Sequence, residues 1–146
     1  MASSGQIVSP PWVNQIPSAY DIVTAWYPET KPKPGLKRLR PCLVTKLLQN
    51  DETGEFACVV AFGTKHLKVM QRSHLDIIVQ NAVDIPLMGL AMATRFDLDS
   101  ALPLPWSAQF FGCWSGMHTP ILGRLTQEYI KDYAYKMLAR GSAQRG

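Results

Sequence analysis

From Tyr20 to Leu98 the apolar residues come in short runs rich in β-branched and aromatic side chains, and proline, glycine or turn residues separate these runs. A chain cut this way has little room for long helices, because proline removes a backbone donor and its ring clashes with the preceding turn. Runs of this length and composition read as strands. They are YDIVTAWYP (20–28), RPCLVTKLL (40–48), EFACVVAFG (55–63), HLDIIVQ (74–80) and MGLAMATRFDL (88–98). Between the second and third, Asn50, Asp51 and Gly54 offer the backbone freedom that a hairpin turn requires. The fifth run is read as a strand although its Leu, Ala and Met also suit a helix.

A helical period emerges only near the end of the chain. His118 or Thr119 can start a helix with Pro120 in its first turn. Leu122, Leu125, Tyr129, Ile130, Tyr133, Ala134, Met137 and Leu138 then fall at three-and-four spacing, and Gly141 offers a stop. The stretch DSALPLPWSAQFFGCWSG (99–116) has no period and reads as a looped insertion or short strand covering one face of the sheet. Trp106, Phe110, Phe111 and Trp114 within it can serve either as a core cover or as a partner-binding patch.

Strands followed by one amphipathic helix predict a mainly β (α+β) fold, a small β-barrel with the helix laid on it. The expected division is an N-terminal arm over 1–18, partly ordered through Trp12, a single domain over 19–140 and a flexible tail over 141–146. An apolar fraction of 47% supplies a real core. The odd count of cysteines (Cys42, Cys58, Cys113), with no CxxC pair, argues against a disulfide scaffold or a zinc site. With no charged-then-apolar leader at the start, reduced thiols and a cytoplasmic location are expected. No apolar stretch approaches the roughly 20 residues of a membrane helix, so no membrane partner is expected.

Several chemistries lack their signatures. There is no Gly-rich phosphate loop ahead of a helix, no βαβ alternation, no GxSxG elbow and no HExxH, and neither cofactor nor metal is expected. What remains is basic. The net charge is +4, and five of the ten residues from Lys31 to Arg40 are Lys or Arg. This run ends at the start of the second strand, and GTKHLK (63–68) follows the end of the third. In an antiparallel hairpin these two points lie at the same end of the sheet. Lys37, Arg38 and Arg40 should therefore meet Thr64, Lys65, His66 and Lys68. Arg offers a planar fork of donors matched to phosphate oxygens, a hydroxyl adds a donor, and histidine can move a proton. The competing reading is a solvated sheet end. Thr94, Arg95 and Asp97 are read as structural, with an Arg95–Asp97 pair on an exposed strand face. His74 and His118 are assigned no role.

The order of these features resembles the MazF/PemK/Kid family of toxins from bacterial toxin–antitoxin systems. YDIVTAWYP resembles the family's opening strand, RPCLV its Arg-Pro-x-x-Val strand, and VVAFGTKHLK its apolar strand with a threonine-containing loop. ATRFDL resembles its Arg-Thr-Ile-Asp region with Arg and Thr exchanged, and the closing helix matches in place and length. The resemblance spans about residues 20 to 138; the arm and the aromatic insertion are additions to the family's pattern. It implies an SH3-like barrel of about five to seven strands, usually a homodimer, that cleaves single-stranded RNA without a metal and is neutralised by an antitoxin protein. It implies that Arg40 stabilises charge on the phosphate and that Thr64 positions it, as the catalytic pair. Lys37, Arg38, Lys65, His66 and Lys68 would bind the RNA backbone, with His66 a candidate acid or base that has no family counterpart. The alternative from a different class is a non-catalytic SH3-like module that binds nucleic acid or a protein partner.

Overall fold

The computed structural model describes residues 9–26, 38–67 and 75–145, the last four by backbone alone. The expected contributions of Lys37 and Lys68 lie outside the described residues, as do His74 and most of the basic run. Seven described strands form one curled antiparallel sheet: β1 (Asp21–Trp26), β2 (Leu39–Gln49), β3 (Phe56–Thr64), β4 (Ile77–Val79), β5 (Thr94–Phe96), β6 (Leu102–Pro105) and β7 (Ile121–Arg124). A short helix α1 (Asp84–Leu87) precedes β5, and a long helix α2 (Gln127–Arg145) ends the chain. The strand order is β4-β5-β3-β2-β1-β7, with β6 also on β3. The fold is thus mainly β, a small half-barrel with a C-terminal helix, in agreement with the class read from the short strands.

Alternation along the central strands sends side chains into two cores. Val23, Ala25, Cys42, Val44, Cys58 and Val60 face the first. Ile22, Leu43 and Ala61 face the second. A sheet buried on both faces needs a cover on each. The first core is covered by Trp12, Leu104, Trp106 and Phe111. Trp12 meets Trp106 edge-on with ring centroids 5.1 Å apart, and Trp106 meets Phe111 at 4.6 Å. The second is covered by β4, β5, the segment through Met88 and Leu90, and one face of α2.

Four expectations are corrected. The fifth run forms a strand only at Thr94–Phe96. Its first part is a turn, because Gly89, at φ +80°, takes the chain out of α1 in a conformation that side chains resist. The helix does not begin near Pro120. Ile121–Arg124 pairs with the free edge of β1, Ile22 opposite Gly123, and α2 starts at Gln127. The Leu122 and Leu125 spacing mimics a helix, but an unfilled edge of backbone donors and acceptors outweighs local propensity. The stripe on α2 is also not wholly apolar. Tyr129 and Tyr133 pack on the second core, but Leu138 is 74% exposed, and the inward face continues with Lys136 and Arg140. The helix also passes through Gly141 to Arg145.

Candidate functional site

The β2–β3 hairpin sets the site. Its register pairs Cys42 with Phe62 and Leu43 with Ala61. Continued by two residues, the same register sets Arg40 across from Thr64. At that point β3 leaves β2 and pairs with β5, Gly63 opposite Phe96 and Thr64 opposite Arg95. Gly63 permits the crossing. A Cβ there would lie 2.6 Å from the Pro41 carbonyl oxygen and 2.8 Å from Thr94 Cγ2. Arg40 is half-buried where β2 begins beside Ala25 of β1.

At this end of the sheet a cleft of about 350 Å³ opens, and Arg38, Arg40, Thr64, Lys65 and His66 all line it. These are the five described members of the seven residues singled out from sequence. Leu39, Pro41 and Gly63 lie between them, and Leu90, Ala91, Met92, Thr94 and Trp114 form the rest of the described walls. None of the described lining residues is acidic. Leu90, Ala91 and Met92 carry no sequence signal for a site, since they come from the turn before β5, and Thr94, at the start of β5, is read from sequence as structural. Trp114 was noted only as one of four crowded aromatics. Of these, Trp106 and Phe111 are buried in the first core while Trp114 stands at the cleft.

The backbone of His66 is held on both sides. The His66 backbone N–H donates to Thr64 Oγ1 at 3.2 Å, a bond that does not use the hydroxyl's own proton. The His66 carbonyl accepts from Arg95 Nε at 2.8 Å. The expected Arg95–Asp97 pair on an exposed face does not form. Arg95 is 5% exposed and its Nη1 lies 2.7 Å from Asp76 Oδ2. Asp97 instead caps a short 3-10 turn, accepting from the Asp99 backbone N–H. Asp76 also accepts from Arg140 Nη2 at 2.6 Å and from the Leu98 N–H at 3.1 Å. Arg140 donates in turn to Asp99, and Lys136 Nζ donates to the Asp76 carbonyl at 2.6 Å. A carboxylate this deep is tolerable only when ionic partners and hydrogen bonds surround it. The chain of contacts runs from α2 through Asp76 and Arg95 to the loop at the cleft. No local pattern announces it, because Asp76 and Arg140 are 64 residues apart in sequence.

Burial pushes the Cys42 thiol far above its ordinary range, although hydrogen bonds from the backbone and the charge of Arg40 pull the other way. Burial also pushes Cys58 up to about 12, with the Asp21 charge adding to it. Neither thiol is a nucleophile near neutral pH. Among the described residues no group of three or more His, Cys, Asp or Glu side chains could hold a metal ion. No described helix is long and apolar enough to cross a membrane. No protein-family model and no curated protein sequence matches this chain.

Proposed function

We propose that the cleft takes the backbone of single-stranded RNA and that the chain is a toxin-like, metal-independent endoribonuclease. The observation that carries this is the composition of one small cleft. Arg38, Arg40 and Lys65 share it with a hydroxyl and an imidazole, and no acid is present among its described walls. A phosphodiester matches that set, since its oxygens accept several charge-assisted hydrogen bonds at once.

In the proposed reaction the ribose 2′-oxygen attacks the adjacent phosphorus. A P–O2′ bond forms as the P–O5′ bond breaks, leaving a cyclic phosphate and a free 5′-hydroxyl. Arg40 balances the charge that builds on the non-bridging oxygens, and Thr64 donates its proton to one of them. His66 moves a proton between solvent and the reacting oxygens. The pinned backbone on either side of His66 keeps the loop in place while this occurs. The toxin role, the antitoxin partner, the homodimer and the cytoplasmic setting rest on the resemblance of the strand and loop motifs to the MazF/PemK/Kid family.

One observation favours the alternative of a non-catalytic RNA-binding module. The reaction needs one proton taken and one given, and His66 is the only residue among the described walls suited to proton transfer near neutral pH. The two functions separate on a cleavage assay in EDTA with a long unstructured RNA. Wild type should yield cyclic-phosphate fragments, and Arg40→Ala should yield them far more slowly. RNA that is bound but uncut by the wild type would leave only the binding module.

A further inference from the structure

Trp114 is held in the cleft from several sides. The segment before it lies along β1. Phe111 bridges to Ala25, the Trp26 N–H donates to the Phe110 carbonyl at 2.8 Å, and the Gly112 N–H donates to the Thr24 carbonyl at 3.3 Å. The Thr24 hydroxyl donates back to the Gly112 carbonyl. A turn closes behind Trp114, where its carbonyl accepts from the Met117 N–H at 2.9 Å. The indole N–H donates to the Leu39 carbonyl at 3.4 Å, between the backbones of Arg38 and Arg40. Trp114 belongs to neither core. Its one polar atom is therefore engaged by the strand that carries the cleft's arginines.

The remainder of that wall is apolar. Leu90, Ala91 and Met92 line the cleft without a charge, and Met92 is 57% exposed. The cleft thus joins a cationic rim to an aromatic and aliphatic wall in a volume of about 350 Å³, near the lower end of ligand-sized cavities. A ligand that joins an anion to a flat apolar group matches both parts. A phosphate with its attached nucleobase is such a ligand, and an acidic peptide supplies the anion without the plane.

We infer that Trp114 is the stacking platform for one unpaired base of the strand whose phosphate lies on Arg38, Arg40 and Lys65, an assignment that rests on the RNA-site reading of the cleft. Stacking on an aromatic ring is tolerant of base identity and strong enough to be measured singly. The aromatic insertion then has two jobs: Trp106 and Phe111 close a core, and Trp114 adds a base subsite.

The test uses two labelled oligomers of equal length: single-stranded 2′-O-methyl RNA of mixed sequence, which cannot attack its own phosphates, and the same backbone without bases. Binding is read by anisotropy at low salt. Wild type should prefer the base-bearing oligomer by on the order of 5- to 100-fold. Trp114→Ala should lose that preference and keep the weaker affinity for the abasic backbone. Trp114→Phe should keep most of it, and should lose the quenching of indole fluorescence that accompanies binding to the wild type. The Phe variant keeps a ring in place and so serves even if the Ala variant does not fold. Equal affinity of wild type for both oligomers would overturn the base subsite alone. So would undiminished quenching in Trp114→Phe, or quenching of wild type by polyglutamate as strong as by RNA. Failure of wild type to bind either oligomer would overturn the RNA site and the subsite together.

Discussion

Arginines of two kinds meet at the cleft. Behind it, Arg95 and Arg140 are each 5% exposed and share the Asp76 carboxylate. On its rim, Arg38 is exposed and lines an open cavity. The buried pair has given up water and is compensated by Asp76, which both share, and by Asp99 beside Arg140. The rim cation keeps its hydration and can exchange it for a ligand's oxygens. The same side chain is therefore architecture in one place and binding surface in the other, and the difference is the carboxylates that the buried pair meets. Arg95 joins the two regions, because its Nε holds the His66 carbonyl.

The sharpest break in this comparison is Asp76→Ala. It leaves buried Arg95 without the acid it meets and Arg140 with Asp99 in place of two carboxylates, which costs about 3–5 kcal/mol. For a domain with about 5–15 kcal/mol in total, the urea midpoint should fall by a large fraction, while Arg38→Ala should shift stability by less than about 0.5 kcal/mol. An Asp76→Ala midpoint close to wild type would remove the structural role assigned to the network.

Arg40→Ala should lower the cleavage rate by about 10²–10³ in EDTA, the usual effect of removing one preorganised donor to a charged transition state. RNA affinity should fall much less. A rate loss matched entirely by lost affinity would instead mark Arg40 as a backbone contact.

Gly63→Ala tests how the two strands bring Arg40 and Thr64 together. The new methyl meets the Pro41 carbonyl and Thr94 at less than contact distance. The cost should be about 1–3 kcal/mol, in the range of overpacked sites. Cleavage measured below the unfolding transition should fall as well, since β3 must shift away from β2. A stable, fully active variant would show that the crossing tolerates a wider gap.

Smaller effects sharpen the rim. Arg38→Ala and Lys65→Ala should each reduce the slope of log affinity against log salt by about 0.7, as expected for one phosphate contact on a single strand. Unchanged slopes would place those cations outside the RNA path. The smallest effect concerns how α2 is docked. Burial, followed by the hydrogen bond that Tyr129 donates to Asp84, pushes the phenol from 10.0 up to about 12. A raised folded-state value favours the protonated form. Its contribution is complete below pH 10 and is lost as pH rises through about 12. Cys42 and Cys58, with raised thiols, add a loss of the same sign. Tyr129→Phe should make the alkaline decline shallower without abolishing it, as followed by urea midpoints between pH 9 and 12.

Much of the fold and part of the candidate site were legible in the residues. The hairpin is local, with its turn at Asn50 to Gly54, so the start of β2 and the end of β3 lie at the same end of the sheet even across the register shift between Val44 and Lys46. From that pairing alone, Arg38, Arg40, Thr64, Lys65 and His66 belong at one end of the sheet, and they share one cleft. The helix start was misread because Leu122 and Leu125 satisfy a helical period. Only the open edge of β1 makes Ile121–Arg124 a strand. Trp114 was visible as an aromatic, but its direction depends on where the insertion meets β1.

The short strands, the hairpin and the cluster of cations at its end can be read along the chain, because they follow from β-branched runs and from contacts between near neighbours. Which arginines are buried and which line the cleft is set by contacts between distant segments. Asp76 reaches Arg95 and Arg140 across folded space, 19 and 64 residues away, and a buried charge finds its partner by proximity rather than by order along the chain.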